Sequence, residues 1–354
     1  MKLLKNVRLY GKTVDIAVQN GKIAGIGKYD GEGVDFGGNK IYPGLIDTHS
    51  HGCIGKDASD GDIAEMARYY LKNGTTTWYP TTMTVGFDDI CSACLSDTEI
   101  EGGANIPGFH LEGPFINKAL KGAQNEEYVI KPTMDLIKAC KKAKKITVAP
   151  EALGAMEFIR ECKRLGIVVS IGHSTCDYET AATAIKAGAS CLTHTYNCMS
   201  PLHHRAPGPI PAGAEGGAYA ELICDGIHVH PAMVRLLVKL YGSERIVLIS
   251  DSVRAAGLED GVYDLGGLDI TVNGGVARTK DGNLAGSTAT LLYCVKRAIE
   301  FGIPEERAFM MATANPARLM GLDKKGKIEV GCDADIIVLD SELNLKKVIV
   351  RGEF

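Results

Sequence analysis

The 354-residue chain lacks any run of about 18 to 20 apolar residues, the length that a membrane-spanning helix requires. No apolar stretch typical of a signal peptide occurs in the opening residues MKLLKNVRLYGK. Charge of one sign is also scarce, because 39 basic and 43 acidic residues leave a net charge of −4 without a long run of either sign. These absences argue against nucleic-acid and membrane partners, and we expect a cytoplasmic protein that acts on a small molecule.

A disulfide framework is missing as well. The eleven cysteines are an odd number and are scattered through segments that are otherwise typical of core elements, so we expect reduced thiols. Cys91 and Cys94 form a single C-x-x-C inside DDICSACLSD, whose spacing predicts a helix with a small apolar face. Because no second cysteine pair accompanies them, we expect both to pack rather than to bind zinc.

Both ends of the chain contain short apolar runs separated by turn residues, the pattern of small antiparallel strands. In residues 1–41 the runs are VRLY, TVDIAV and IAGIG, and near the other end they are KIEVG, ADIIVLD and KKVIVRG. We therefore expect residues 1–41 and 325–354 to form one small, discontinuous β-sandwich domain, which the middle of the chain interrupts.

Residues 42–324 show a different rhythm, in which short apolar strands alternate with helical patterns. One such helix is predicted for PAMVRLLVKLYG, which opens with Pro231 at a first-turn position. Eight strands over this length favour an α/β fold of the (β/α)₈ TIM-barrel type, with a doubly wound open sheet as the alternative. The strands are expected in IYPGLIDTH, TTTWYPT, IPGFHLEG, ITVAPE, IVVSIGH, CLTHTYN, AELICDGIHV and IVLISD.

Six polar residues lie at the carboxyl ends of these predicted strands, where active sites of such barrels are built. Side chains two residues apart on a strand point to the same side, so an H-x-H pair can bind one ion. A carboxylate at a strand end can ligate the metal or accept a proton from water. The six candidate metal ligands are His49, His51, Glu112, His173, His194 and Asp251.

Each of these residues also has a purely structural explanation. Glu112 could form a buried ion pair, although no cation lies near it in sequence, and either His173 or His194 could be a core histidine bonded to the backbone. Asp251 could cap a helix. The coincidence of all six at equivalent strand ends favours the metal site.

The motifs PGLIDTHSHG, HLEGP, GHST, THTYN, DGIHV, SDS and LAGST occur in the order found in the amidohydrolase superfamily. HLEGP followed by KGA, together with YN, DGIHV and LAGS, makes the chain resemble the superfamily's deacetylases of amino-sugar 6-phosphates. The resemblance covers essentially the whole chain. It implies metal-dependent removal of acetate from N-acetylglucosamine 6-phosphate, with N-acetylgalactosamine 6-phosphate or another amide as alternatives.

The resemblance also implies roles for individual residues. Glu112, His173 and His194 correspond to the core metal ligands, Asp251 to the catalytic acid and base, and His49 with His51 to the ligands of a second ion. One or two divalent ions are implied, of zinc, iron, manganese or cobalt, and a homodimer is implied because relatives supply phosphate-binding cations across an interface. The substrate contacts implied are Ala123, Gln124, Asn197, Cys198, Arg205, His228, Leu284, Ala285 and Gly286.

Two positions depart from the family pattern. Gln124 in KGAQNE replaces a histidine that polarises the scissile carbonyl, and its amide can still donate a neutral hydrogen bond. Arg205 lies in the unusual loop MSPLHHRAPGP, where His203 and His204 are alternative phosphate contacts. A non-catalytic binding barrel is the rival from another class, and it would be expected to lack part of the ligand set.

Overall fold

The computed structural model describes residues 1–353. Its first five strands are β1 (Lys2–Leu9), β2 (Lys12–Gln19), β3 (Lys22–Gly27), β4 (Val34–Asp35) and β5 (Lys40–Pro43). β1 pairs antiparallel with β2, and β2 with β3. These pairings confirm the short antiparallel strands expected at the start of the chain.

The middle of the chain forms an eight-stranded parallel sheet that curls into a barrel. In chain order the strands of this region are β6 (Leu45–Ser50), β7 (Gly52–Cys53), β8 (Lys56–Asp57), β9 (Thr75–Thr82), β10 (Phe109–Glu112), β11 (Ala143–Val148), β12 (Val168–Ile171), β13 (Ala189–Leu192), β14 (Tyr219–Ile223) and β15 (Ile246–Ile249). β7 and β8 make a separate small hairpin. The other eight strands form the barrel.

The two edge strands of this sheet, β6 and β15, lie side by side. The Asp251 N–H donates to the His49 carbonyl at 3.0 Å, and the Ser250 hydroxyl donates to the Asp47 carboxylate at 2.6 Å. Such contacts cannot occur in an open doubly wound sheet, whose edges lie far apart. The barrel prediction is therefore confirmed, and the open-sheet alternative is wrong.

Helices follow most strands and cover the outside of the barrel. They are α1 (Ala64–Lys72), α2 (Phe87–Ala93), α3 (Met134–Ala139), α4 (Ala155–Arg164), α5 (Tyr178–Ala187), α6 (Pro209–Glu215), α7 (Pro231–Tyr241), α8 (Leu291–Glu300), α9 (Glu305–Met311) and α10 (Ala314–Leu319). α4 buries Ala155, Phe158, Ile159 and Cys162, the i, i+3, i+4, i+7 spacing of a single apolar face. None of the helices within residues 1–353 is long and apolar enough to cross a membrane.

A three-stranded antiparallel sheet lies between β15 and α8. It consists of β16 (Gly261–Leu265), β17 (Leu268–Asn273) and β18 (Val276–Thr279). Its buried residues Leu265 and Ile270 pack against Met83, Val253 and Ala285, which lie at the carboxyl end of the barrel. This sheet therefore forms one wall above the barrel opening.

The last strands return to the first sheet. β19 (Ile336–Leu339) pairs antiparallel with β20 (Leu345–Ile349) and with β5, so that both chain ends share one seven-stranded sheet. Its apolar side chains form one core, which includes Leu4, Val7, Ile16, Ile41, Ile336 and Ile349.

Two strand predictions were wrong. KIEVG is not a strand, because the backbone of residues 327–330 follows an irregular path while Ile328 alone is buried in the core of the end sheet. IYPGLIDTH is two strands, since Ile41–Pro43 belongs to β5 and the barrel begins at Leu45. Gly44 separates them, and a Cβ atom there would lie 2.1 Å from the Thr76 hydroxyl oxygen, so only glycine fits this crossing point.

Candidate metal centre and active site

The six candidate ligands meet in one buried cluster at the carboxyl end of the barrel. Glu112 is the last residue of β10 and lies at its centre. The Nε2 atoms of His49 and His194 lie 3.1 and 3.0 Å from Glu112 Oε1, and that of His173 lies 3.3 Å from the same oxygen. The Nε2 atom of His51 lies 3.1 Å from Oε2. Four imidazoles thus converge on one carboxylate.

The cluster divides into two sets of three donors that share Glu112. Within each set the donor atoms lie within 4.8 Å of one another, and all the residues are buried. One set contains His49, His51 and Glu112, and the other contains Glu112, His173 and His194. Imidazole and carboxylate donors suit divalent transition metals, so the residues fit either one ion or two ions bridged by Glu112.

Asp251 is the sixth member of the cluster. Its Oδ1 atom lies 3.3 Å from His51 Nε2 and 3.5 Å from His49 Nε2. It lies two residues beyond the end of the apolar strand β15, and it is buried although it borders a cavity. The carboxylate therefore faces the same space as the histidine rings.

Three of the six candidate ligands have a strained backbone. His173, His194 and Asp251 follow β12, β13 and β15, and their φ angles are +47°, +27° and +47°. A left-handed conformation costs a non-glycine residue roughly 1 to 3 kcal/mol. Backbone hydrogen bonds hold all three turns. The Asn117 N–H donates to the His173 carbonyl at 2.8 Å, the Asn197 N–H to the His194 carbonyl at 2.9 Å, and the Ser287 N–H to the Asp251 carbonyl at 2.8 Å.

The electrostatic balance of the cluster favours a cation. Burial would lower the pKa of the His49 ring, but the Glu112, Glu221 and Asp251 carboxylates outweigh it and raise the pKa to about 9. Burial also opposes protonation of His51, whose pKa Asp251 and Glu112 raise to about 10. Positive charge is thus stabilised where a metal ion would lie, because the carboxylates supply the field.

A buried ion pair lies behind the cluster. The Lys145 ammonium on β11 contacts the Glu221 carboxylate on β14, and both side chains are completely buried. Burial alone would raise the pKa of Glu221, but Lys145 and His49 outweigh it and lower the pKa to about 2. The second carboxylate oxygen lies 3.0 Å from His49 Nδ1.

A cavity of 430 Å³ opens onto the cluster. Its lining contains most of the substrate contacts inferred from the resemblance, namely Ala123, Gln124, Asn197, Cys198, His228, Leu284 and Gly286. The cluster residues His51, Glu112, His173, His194 and Asp251 border the same space. His49 lies deeper, because its side chain is fully buried behind Glu112.

Two of the expected substrate contacts do not line the cavity. Ala285 is buried in the core of the β16–β18 sheet. Arg205 is exposed on the loop after β13, where its guanidinium lies 2.8 Å from His204 Nε2. The arginine of one chain therefore does not reach that chain's own cavity.

Gln124 is held by two strong hydrogen bonds and by a weak one from its amide nitrogen to Met83 Sδ at 3.9 Å. Its amide NH₂ group donates to Glu112 Oε2 at 2.6 Å, and its carbonyl oxygen accepts from the Thr84 N–H at 2.7 Å. The side chain is buried and borders the cavity. Its amide orientation is therefore fixed by Thr84, with the NH₂ group toward the metal cluster.

His228 is oriented by an acidic neighbour. The Asp225 Oδ2 atom lies 2.6 Å from His228 Nδ1, and Asp225 Oδ1 accepts from the N–H groups of Ile227 and His228. This turn begins at Asp225, which Cys224 separates from the last residue of β14. With Nδ1 engaged, Nε2 is the ring atom left to face the cavity.

Several residues of the site escaped the sequence analysis. Glu221 is an isolated charge within the apolar strand β14, and that isolation is the signal that could have drawn attention to it, whereas Lys145 ends the lysine-rich segment KKAKK and resembles a surface charge. Asp225 belongs to the DGIHV motif but was not predicted to be a site residue. Tyr196, which belongs to the THTYN motif, also lines the cavity. Met83, Val253 and Asn283 line it too, and they carry no local pattern that distinguishes them from core or loop residues.

An α/β barrel with four histidines and two carboxylates at the carboxyl ends of its strands defines a metal-dependent hydrolase. The chain belongs to the amidohydrolase family, which it matches over residues 41–354. The N-acetylglucosamine-6-phosphate deacetylase of Bacillus subtilis (strain 168) is 38% identical, over 88% of this chain and 83% of the relative.

Two further relatives bear on the substrate. The N-acetylgalactosamine-6-phosphate deacetylase of Escherichia coli O157:H7 is 37% identical, over 88% of this chain and 87% of that protein. A mutant N-acetyl-D-glucosamine-6-phosphate deacetylase from Mycobacterium smegmatis, solved in complex with N-acetyl-D-glucosamine-6-phosphate, has a TM-score of 0.93 and 31% identity, covering 99% of this chain and 98% of that one. The fold and the family expectation are thus confirmed.

Proposed function

We propose that the protein hydrolyses the acetamide of N-acetylglucosamine 6-phosphate, yielding glucosamine 6-phosphate and acetate. The observation that carries this proposal is the cavity whose floor is the Glu112 cluster and whose edge is Asp251. Similarity to deacetylases over most of the chain supports the choice of an acetamide. The reaction belongs to amino-sugar breakdown and recycling, and we place it in the cytoplasm, where sugar phosphates are found.

The metal is held, in this proposal, by His49, His51 and Glu112 at one position and by Glu112, His173 and His194 at the other. A divalent cation bound there supplies Lewis acidity, which lowers the pKa of a water molecule and polarises a carbonyl group. Zinc, iron, manganese and cobalt all suit this mixture of imidazole and carboxylate donors.

Asp251 is assigned the proton transfers. Burial would raise its pKa, but His49 and His51 outweigh that effect and lower it, so the side chain is a carboxylate at neutral pH. In this form it accepts the proton of the attacking water. It then donates that proton to the amine nitrogen as the C–N bond breaks, because an unprotonated amine is a poor leaving group.

Gln124 is assigned to the acetyl group. One amide hydrogen is donated to Glu112, and the other, which meets only the weak acceptor Met83 Sδ at 3.9 Å, can donate instead to the carbonyl oxygen as negative charge develops there. The Thr84 N–H keeps the amide in this orientation. A neutral donor thus takes the place of the family histidine.

The 6-phosphate is assigned to His228 and Arg205. His228 borders the cavity and presents Nε2, whereas Arg205 is exposed on its own chain. A homodimer in which Arg205 of one chain reaches the cavity of the other accounts for this exposure, since guanidinium groups bind phosphate through two parallel hydrogen bonds. His203 and His204 are the alternatives on the same loop. Ala123, Asn197, Cys198, Leu284 and Gly286 are assigned to the sugar ring.

N-Acetylgalactosamine 6-phosphate is the second candidate substrate. The two sugars differ at one hydroxyl, and a deacetylase for each is almost equally similar to this chain, at 38% and 37% identity. Both epimers therefore need to be offered to the enzyme.

Acetate release tests the proposal. Purified, metal-analysed protein is offered both 6-phosphates and unphosphorylated N-acetylglucosamine, with a chelator-treated control. We expect fast, chelator-sensitive release from N-acetylglucosamine 6-phosphate and much slower release from the unphosphorylated sugar. Faster release from the galactosamine epimer would move the assignment to the second candidate, and no release from any of the three by metal-loaded protein would refute both.

A further inference from the structure

The barrel interior contains an ion pair that is costly to bury. Lys145 and Glu221 are completely buried, and the Lys145 ammonium also donates to the Thr48 carbonyl at 3.3 Å. Removing two charges from water costs several kcal/mol per ion, and a well-packed apolar pair of similar volume is often as stable or more stable. The pair therefore contributes little to stability, and its role follows from the other contacts of Glu221.

The Glu221 carboxylate contacts both halves of the metal cluster. Its Oε2 atom accepts from His49 Nδ1 at 3.0 Å and from the backbone N–H of His194 at 3.2 Å. A hydrogen bond to the carboxylate places the His49 proton on Nδ1. The lone pair of Nε2 then faces Glu112, which is the tautomer required of a metal ligand.

Of the other three histidine rings, two have weaker partners on Nδ1 and the third has none. His51 Nδ1 lies 3.1 Å from the Thr81 carbonyl, and His173 Nδ1 lies 2.9 Å from the Leu120 carbonyl. His194 Nδ1 is buried with no partner among residues 1–353. A carboxylate raises the basicity of a ligating imidazole more than a neutral carbonyl does, so His49 is the ring that its surroundings prepare most strongly to bind a cation.

We propose that Glu221, balanced by Lys145, is a positioning residue that fixes His49 and thereby creates the cation position formed by His49, His51 and Glu112. The Lys145 ammonium contacts the Glu221 carboxylate and pairs with it in the barrel interior. The second position, formed by Glu112, His173 and His194, depends much less on this pair. The inference rests on the proposed metal dependence of the enzyme, and it does not depend on the identity of the substrate.

Two double variants test it without leaving a buried charge unpaired. In Lys145→Met/Glu221→Leu, His49 Nδ1 loses its acceptor, whereas in Lys145→Met/Glu221→Gln it keeps a neutral one. Lys325→Met is the matched control, because it breaks a largely buried ion pair with Asp335 in the end sheet, far from the cluster. Zinc content per chain is measured after dialysis against buffered free zinc, and zinc affinity is measured by competition with a chelator.

We expect two zinc ions per wild-type chain. The Leu variant retains one ion and binds the other about 10- to 100-fold more weakly, the range typical for loss of a carboxylate behind a ligating histidine. The Gln variant has an intermediate affinity for that ion, and Lys325→Met retains wild-type zinc affinity even where its melting temperature falls. This gradation is a readout that a purely structural role would not produce.

The proposal is overturned if the Leu variant binds both ions with wild-type affinity, or if it loses both ions equally. A wild-type chain that binds a single ion with an affinity unchanged in both double variants contradicts it as well. Should the Leu variant not fold, the Gln variant decides, because wild-type affinity for both ions there excludes a role for the Glu221 charge. Two bound ions without acetate release from any phosphosugar would refute the proposed reaction and leave this inference standing.

Discussion

The two halves of the metal cluster are built in different ways. His49 and His51 come from one strand and its first following residue, where two-residue spacing places both rings on one side. His173 and His194 come from two different strands and lie in left-handed turns. The first half is formed by regular strand geometry with support from a buried carboxylate, and the second by strained turns held by backbone hydrogen bonds. Similar donors can thus be presented by unrelated local structures, provided that Glu112 joins them.

Replacing the shared ligand should have the largest effect. In Glu112→Gln both halves lose the carboxylate that joins them, so we expect loss of both ions and a fall in turnover of roughly 10³-fold or more, which corresponds to several kcal/mol of lost charge stabilisation. Metal analysis and acetate release measure the two effects. Glu305→Gln is the control, because that carboxylate binds Lys40 and Tyr42 at the end sheet. Retention of one tightly bound ion by Glu112→Gln would show that the halves are independent.

Asp251→Asn should separate chemistry from metal binding. The amide cannot accept the proton of the attacking water, and we expect kcat to fall by about 10²- to 10⁴-fold. Asparagine tolerates the left-handed backbone at φ +47°, so the fold and the bound metal should persist. Steady-state kinetics together with metal analysis test this expectation. A kcat near that of the wild type would remove Asp251 from the proton transfers.

Two single substitutions test whether the two halves of the metal cluster bind their ions independently. His49→Asn and His173→Asn each remove one ring from one half, and we expect each variant to retain the ion of the other half. Metal content should therefore fall from two ions to one per chain in both variants. Loss of both ions from His49→Asn would instead show that binding at the second position depends on the first, so that the two halves are not independent.

The smallest expected effect concerns the phosphate end of the cavity. Asp225→Asn removes the charge that orients His228, and loss of such a hydrogen bond is worth roughly 1 to 2 kcal/mol. We expect KM for the 6-phosphate to rise by about tenfold with little change in kcat, because the phosphate contact is the same in the ground and transition states. Unphosphorylated N-acetylglucosamine is the control substrate, and an equal rise in its KM would contradict a role in phosphate binding.

The sequence predicted the parts of the site that follow strand ends and missed those within strands. Glu112 and His194 stand out because each ends an apolar run, where a polar residue is unusual. Glu221 lies inside an apolar run, whereas Lys145 ends the lysine-rich segment KKAKK, and only the barrel closure brings the two residues together. Their contact depends on the tertiary structure and cannot be inferred from a local sequence pattern.

The fold shows the same division between local and tertiary information. Apolar periodicity predicted the eight barrel strands, because each is a local property of four to eight residues. It failed for KIEVG, where Ile328 is buried by an irregular segment whose apolar pattern resembles a strand. It also joined β5 to β6, because the apolar run is continuous across Gly44 and only the change of pairing partner marks the boundary.

The pairing of β5 with β19 has a consequence for the order in which the chain can fold. Ile41 lies opposite Val338, roughly 300 residues later in the sequence. During synthesis the amino-terminal strands leave the ribosome early, while the strand that covers the edge of β5 is made near the end. Until then β5 exposes unpaired backbone groups beside an apolar core, a combination that promotes association between nascent chains. The end sheet is therefore completed only after translation has passed Ile349, the last residue of β20. Premature termination before β19 should yield aggregation-prone chains even when every barrel strand has been made.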